Sequence, residues 1–185
     1  MAGEQIKSTA ITNLDAAPPV RATAGGPGGQ YSPVMVDARV AVATAMDNTS
    51  TYKFFRIPST ALVKKLEIWV DVANTTLAFD VGVVYSDQPL DEVGISSGKT
   101  GTPMTDNDLF AAAYDAHAIV TPTEITFQSA EFTGADSDKP IWSVTDSTLT
   151  TDPGGFFDIT AFSTSTSSGA AVVNMRLTYA MPYTT

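Results

Sequence analysis

The residues able to do chemistry are few, and their surroundings decide what each can do. The chain holds one histidine, His117, set between Ala116 and Ala118. A triad needs that base beside a nucleophile and a third group to orient it, and an imidazole in an alanine-rich stretch reads instead as structural or exposed. No cysteine is present, which removes disulfides, thiolate nucleophiles and every cysteine-based metal site together. Hydroxyls concentrate in Ser163-Thr164-Ser165-Thr166-Ser167-Ser168, where nothing activates them, so the run reads as a solvated hairpin loop.

Two carboxylate pairs, Asp106 with Asp108 and Asp136 with Asp138, place oxygen donors two residues apart as calcium loops do. Neither continues into the glycine and distal glutamate of an EF-hand. Asp106 and Asp108 also suit the positive end of a helix dipole, and Asp136 with Asp138 an acidic turn. Gly25-Gly26-Pro27-Gly28-Gly29 lacks the preceding strand and following Lys-Ser/Thr of a phosphate cradle. Trp69 and Trp142, with Tyr31, Tyr52, Tyr85 and Tyr114, would make a sugar-stacking platform if several shared one exposed face. The expectation from these groups is no enzyme, no cofactor and no metal.

The elements that must carry these groups are strands. Leu62, Leu66, Ile68, Val70 and Val72 fall on one parity, and Lys65, Glu67 and Asp71 on the other. Leu77, Phe79, Val81, Val83 and Tyr85 repeat that period after a turn signal at Ala73-Asn74-Thr75, so the two strands are expected to pair as a hairpin. In Tyr52-Lys53-Phe54-Phe55-Arg56-Ile57, strict alternation sets Tyr52, Phe54 and Arg56 opposite Lys53, Phe55 and Ile57, and Pro58 ends the run. Val34 to Val42 alternates as well. Trp69 falls on the face opposite the Leu66 stripe, either exposed or covered by another subunit.

A loose region through Asp87-Gln88-Pro89 and Gly94 to Thr102 predicts a long connection. Thr105 with Asp108 three residues on, ahead of Leu109-Phe110-Ala111-Ala112-Ala113-Tyr114, predicts a short helix over 105–114. Strand-like pieces return at Ile119-Val120, Glu124 to Gln128, Ile141 to Val144, Phe156 to Phe162 and Val173 to Met181. Asp152-Pro153-Gly154-Gly155 is a turn by its chemistry.

At 185 residues and 43% hydrophobic content, the chain buries roughly 70% of its unfolded surface as one well-cored domain. Ten basic against twenty acidic side chains give a net charge of -10, which opposes direct binding to nucleic acid. The N-terminus lacks the pattern of a secretory signal, and no apolar run is long enough for a membrane span. Residues 1–33 are rich in Ala, Thr, Pro and Gly, with Ile6, Ile11, Leu14 and Val20 too sparse for a core of their own. They read as an extended N-terminal arm, ordered only by packing on something else, ahead of a body over 34–185. About eight strands and one short helix predict an all-β fold, an antiparallel β-sandwich of jelly-roll-like form.

Four stretches carry a resemblance: Ile6-Lys7-Ser8-Thr9-Ala10-Ile11-Thr12-Asn13-Leu14-Asp15, Pro19-Val20-Arg21-Ala22-Thr23-Ala24-Gly25, the strands from Tyr52 ending in Val84-Tyr85-Ser86-Asp87, and Asp152-Pro153-Gly154-Gly155-Phe156-Phe157-Asp158. Through them the chain resembles the decoration, or cement, proteins that stabilise tailed-bacteriophage heads. The resemblance implies a virion protein, made in the host cytoplasm, on the outer capsid surface and clamping joints between major capsid protein subunits. It also implies self-association as a dimer or trimer. Ile6, Ile11, Leu14, Val20, Arg21 and Trp69 are then the expected partner-binding residues. The alternative is a carbohydrate-binding β-sandwich used in host attachment.

Overall fold

The computed structural model describes residues 5–7, 33–42, 47–71, 76–86, 105–145, 149–166 and 169–181. In chain order the strands are β1 (Gln5–Lys7), β2 (Val34–Val42), β3 (Thr51–Pro58), β4 (Leu62–Val70), β5 (Ala78–Tyr85), β6 (Thr105–Asp115), β7 (Thr123–Glu124), β8 (Phe156–Ser163) and β9 (Ala171–Ala180). One short helix, Ile141–Thr145, lies between β7 and β8. The strands form two sheets, β1-β3-β8-β5-β6 and β2-β9-β4-β7.

Antiparallel pairs join β2 to β9, β3 to β8, β4 to β7 and β5 to β6. First pairs with last and each next strand with the next from the other end, so the body is one long antiparallel hairpin rolled up until its halves share two sheets. That is a jelly roll, and the predicted sandwich is what forms. Rolling also adds the pairs β4·β9 and β5·β8. β1 joins the edge of β3 in parallel, with Gln5 opposite Thr51 and Lys7 opposite Lys53.

The core lies between the sheets. Phe79, Val81, Phe157, Ile159 and Ile57 from one sheet, and Leu66, Ile68, Met175 and Leu177 from the other, are almost wholly buried. The outer faces differ. β2 alternates half-buried with exposed residues, so its sheet keeps a solvated side. In β8, Phe157 through Ser163 are all buried, Asp158 and Thr160 completely so, as is Val84 on β5.

Several sequence expectations give way to this topology. β4 and β5 are separated by a clear turn signal, yet they lie in different sheets and form no hairpin. Both alternate, and alternation reports a half-buried strand without naming its neighbour. β8 and β9, the strands on either side of the serine and threonine run expected as a hairpin loop, likewise lie in different sheets and form no hairpin.

The region expected to be a helix at 105–114 is β6, which pairs with β5. The alanine-rich sequence favours a helix locally, but a helix there would leave the edge of β5 unpaired beside fully buried Val81, Val83 and Val84, and unpaired buried backbone costs more than propensity returns. β6 accommodates its sequence through irregular register between Phe79 and Val83.

The helix instead occupies Ile141–Thr145, where a strand is expected. Pro140 precedes it, as suits the start of a helix, and Ser143 N donates to Pro140 O at 3.0 Å. Ile141 is fully buried, and its backbone N–H donates to Ala61 O at 2.9 Å, fastening the turn to the β3–β4 connection. Of the piece at 124–128, only Glu124 is strand, with Thr123 ahead of it in β7; Ile119-Val120 is not, although Ile119 O accepts from Val70 N at 2.7 Å. The long connection read from Asp87 to Thr102 lies outside the described residues.

Candidate functional site

On the solvated face of the β2-β9-β4-β7 sheet, outward side chains line up in rows across the strands. Asp37, Arg176 and Glu67 share one row, and Arg39, Asn174 and Trp69 the next. Arg176 ties the rows together. Its Nε donates to Asp37 Oδ1 at 2.7 Å and its Nη2 to Asp37 Oδ2 at 3.2 Å, a two-pronged ion pair. The same guanidinium lies 5.6 Å from the centre of the Trp69 ring, within cation–π range. Lys65 Nζ adds a bond to Glu67 Oε1 at 2.9 Å, and Asn174 Nδ2 one to Asp71 Oδ1 at 2.6 Å. Trp69 does sit opposite the Leu66 stripe, but it is half-buried beneath its own chain's Arg176 rather than bare. Met35, 64% exposed, is the most open large apolar side chain among the described residues.

A second cluster gathers carboxylates. Asp106, Asp108 and Glu131 each bring an oxygen within 4.8 Å of the others. Burial, then the charges of Glu131 and Asp108, push Asp106 up to about 7. The pair Asp106 and Asp108 therefore stands in a strand beside a third acid, and the helix-dipole reading lapses with the helix. Oxygen donors of this kind suit a hard cation, and at neutral pH a proton on Asp106 relieves the same repulsion. Asp136 and Asp138 do read as an acidic turn. Asp136 accepts from Thr133 N at 2.9 Å and Lys139 Nζ at 2.8 Å, bonds that hold its carboxyl down at about 2, the lysine contributing most. Asp138 pairs with Lys64 at 2.5 Å.

A third group is ionic and buried. Asp158, with no exposure, accepts from Lys53 Nζ at 2.9 Å, Arg56 Nε at 2.7 Å and Arg56 Nη2 at 3.1 Å. Under strict alternation Lys53 and Arg56 face opposite ways. A bulge between Lys53 and Phe55 shifts the register, so that Lys53 lies opposite Thr160 and Arg56 opposite Asp158 on the same face. The extra residue also returns Tyr52, Phe55 and Ile57 together to the core, which corrects the alternation expected for this strand. Sequence reasoning missed the triad, since its members are 105 and 102 residues apart and depend on one bulge.

His117 pairs through Nδ1 with Asp115, and its backbone N–H donates to the same carboxylate at 3.2 Å. The side-chain bond, and after it the backbone one, lowers the Asp115 carboxyl. Of the expected partner-binding residues, Trp69 is in the polar network and Ile6 lies on β1 opposite Tyr52; Ile11, Leu14, Val20 and Arg21 lie outside the described residues. Among the described residues, no helix is long and apolar enough to cross a membrane.

No family model and no curated protein matches the chain. Among solved structures, a chain of the capsid of Ralstonia phage GP4 is similar over 97% of this chain and 99% of its own, with a TM-score of 0.58 at 13% identity. A chain of the cyanophage Pam1 capsid asymmetric unit aligns over 88% of this chain and 94% of its own, with a TM-score of 0.47 at 16% identity. The first likeness shows a shared fold from end to end.

Proposed function

We propose that this chain is a structural protein of a phage virion, decorating the outer capsid surface and stabilising contacts between major capsid protein subunits. The observation that carries the reading is the end-to-end likeness in fold to a chain of a phage capsid. The polar outer face around Trp69, Arg176 and Asp37 is the kind of surface that docks on a partner without turnover. Residues 1–33 act as an extended arm whose Ile11, Leu14, Val20 and Arg21 lie on the neighbouring subunit. Many symmetry-repeated copies raise the avidity of each weak contact.

The test is co-sedimentation of the purified chain with heads of the phage that encodes it, stripped of this protein. The parent chain binds. A chain lacking residues 1–30 stays folded and no longer binds, and because that deletion also removes β1, the triple variant Ile11→Asp, Leu14→Asp, Val20→Asp serves as a second probe that keeps β1. Undiminished binding by both sinks the arm assignment, and a parent that never binds heads sinks the virion role. The sugar-stacking alternative has less in its favour, because the Arg176 guanidinium lies against the Trp69 ring.

A further inference from the structure

β2 ends its sheet, hydrogen-bonded to β9 on one side and, among the described residues, to no strand on the other. It is nine residues long, and its register with β9 runs from Val34 to Val42 without a bulge. Regular, unpaired edges of this length are templates for another strand, and proteins usually blunt them. This edge carries Asp37 and Arg39, both exposed and both on the outer face.

The placing of those two charges selects an occupant. They flank Ala38, the middle residue of the strand, with opposite signs. When a second β2 is laid antiparallel with Ala38 opposite its own copy, Asp37 meets Arg39 twice, Met35 covers Ala41, Val36 meets Val40 and Val34 meets Val42. All nine residues find partners with no overhang. Sliding two residues one way sets Asp37 against Asp37, and two the other way Arg39 against Arg39, each a like-charge pair. Odd slips turn outer residues toward the core side. Charges placed to keep strands apart would repel in every register; these repel in the two nearest and attract in one. Arg39 makes no ion pair within the described chain, and Asp37, already held by Arg176, retains a 57% exposed side chain to accept a second guanidinium.

We propose that β2 pairs with β2 of a second copy of this chain across a two-fold axis at Ala38, joining two four-stranded sheets into one of eight. The dimer belongs to the free chain and does not rest on the virion role.

Sedimentation equilibrium of the full chain, from micromolar to millimolar, tests it. The parent dimerises, and Arg39→Glu and Asp37→Lys each weaken self-association about tenfold or more. Mixed together the two variants restore the dimer, since Asp37 then faces Arg39 and Glu faces Lys; that restoration also shows both are folded. Because the chain has no cysteine, Ala38→Cys gives a single thiol that cross-links to itself on oxidation, with Cα atoms about 4.5–5.5 Å apart at the axis. Arg39→Cys, offset from its own copy, cross-links far less. A monomer at every concentration overturns the proposal and leaves the edge for a strand of another protein. A dimer indifferent to both charge variants, or variants that fail to restore it when mixed, overturns it equally.

Discussion

Asp158 has no access to water, yet it holds two cations, and the consequences of removing it follow from that imbalance. Asp158→Ala takes from Lys53, whose side chain is only 11% exposed, the buried carboxylate it donates to, and removes both Asp158 bonds from Arg56. The expected loss is about 3–5 kcal/mol in urea unfolding. Asp106 works in the other direction. Its folded carboxyl keeps a proton up to about 7 against an ordinary value of 3.8, so between those values the native chain binds more protons than the unfolded one. Stability contributed by this group is whole below the lower value and is lost as pH rises through the upper one. Asp106→Asn is therefore expected to raise Tm in alkaline buffer, by less than the full shift implies because water screens a part-exposed carboxylate, and to leave it unchanged in strongly acidic buffer. Calorimetric scans across pH check this.

At the scale of elements, β6 is where local preference and global need conflict, and the structure shows how the conflict is absorbed. Ala113 adopts a positive φ of 47°, and its N–H is held by Asp80 Oδ1 at 2.6 Å. The left-handed conformation strains a residue with a Cβ, so Ala113→Gly is expected to stabilise by about 1 kcal/mol in denaturant unfolding. Nearer the start of β6, Gly82 lets that strand approach closely, since a Cβ there would lie 1.9 Å from Asp106 O and 2.6 Å from Asn107 C. Backbone cannot swing aside as a side chain can. Gly82→Ala is thus expected to cost on the order of 3 kcal/mol, with a visible loss of protection of β6 amides in hydrogen exchange.

At the scale of the whole molecule, the rolled hairpin joins segments far apart in sequence. Asp37 reaches Arg176 across 139 positions, and β2 cannot find β9 until nearly all the intervening chain is placed. Loop closure of that length comes before the contacts that reward it, so refolding from denaturant is expected on the order of seconds rather than microseconds. Stopped-flow fluorescence of Trp69 and Trp142 measures it.

Much of this architecture was legible in the residues. Period-two patterning at Val34 to Val42, Leu62 to Val70, Leu77 to Tyr85 and Val173 onward located four strands, because a strand half in water writes its inward and outward sides directly into alternate positions. The outward direction of Trp69 was equally plain. Partnership between strands was not legible. β4 and β5 look like neighbours along the chain and are not, since alternation carries no information about which edge a strand meets. The Thr105 to Tyr114 segment obeyed the rules of a helix start and became a strand, because only the assembled sheet presents the open edge of β5 that it must cover. The triad of Lys53, Arg56 and Asp158 needed one unannounced extra residue in β3 to exist at all. Residue type determined which faces are wet and which are dry; the tertiary structure alone decided who stands beside whom, because pairing depends on contacts that no short window of sequence contains.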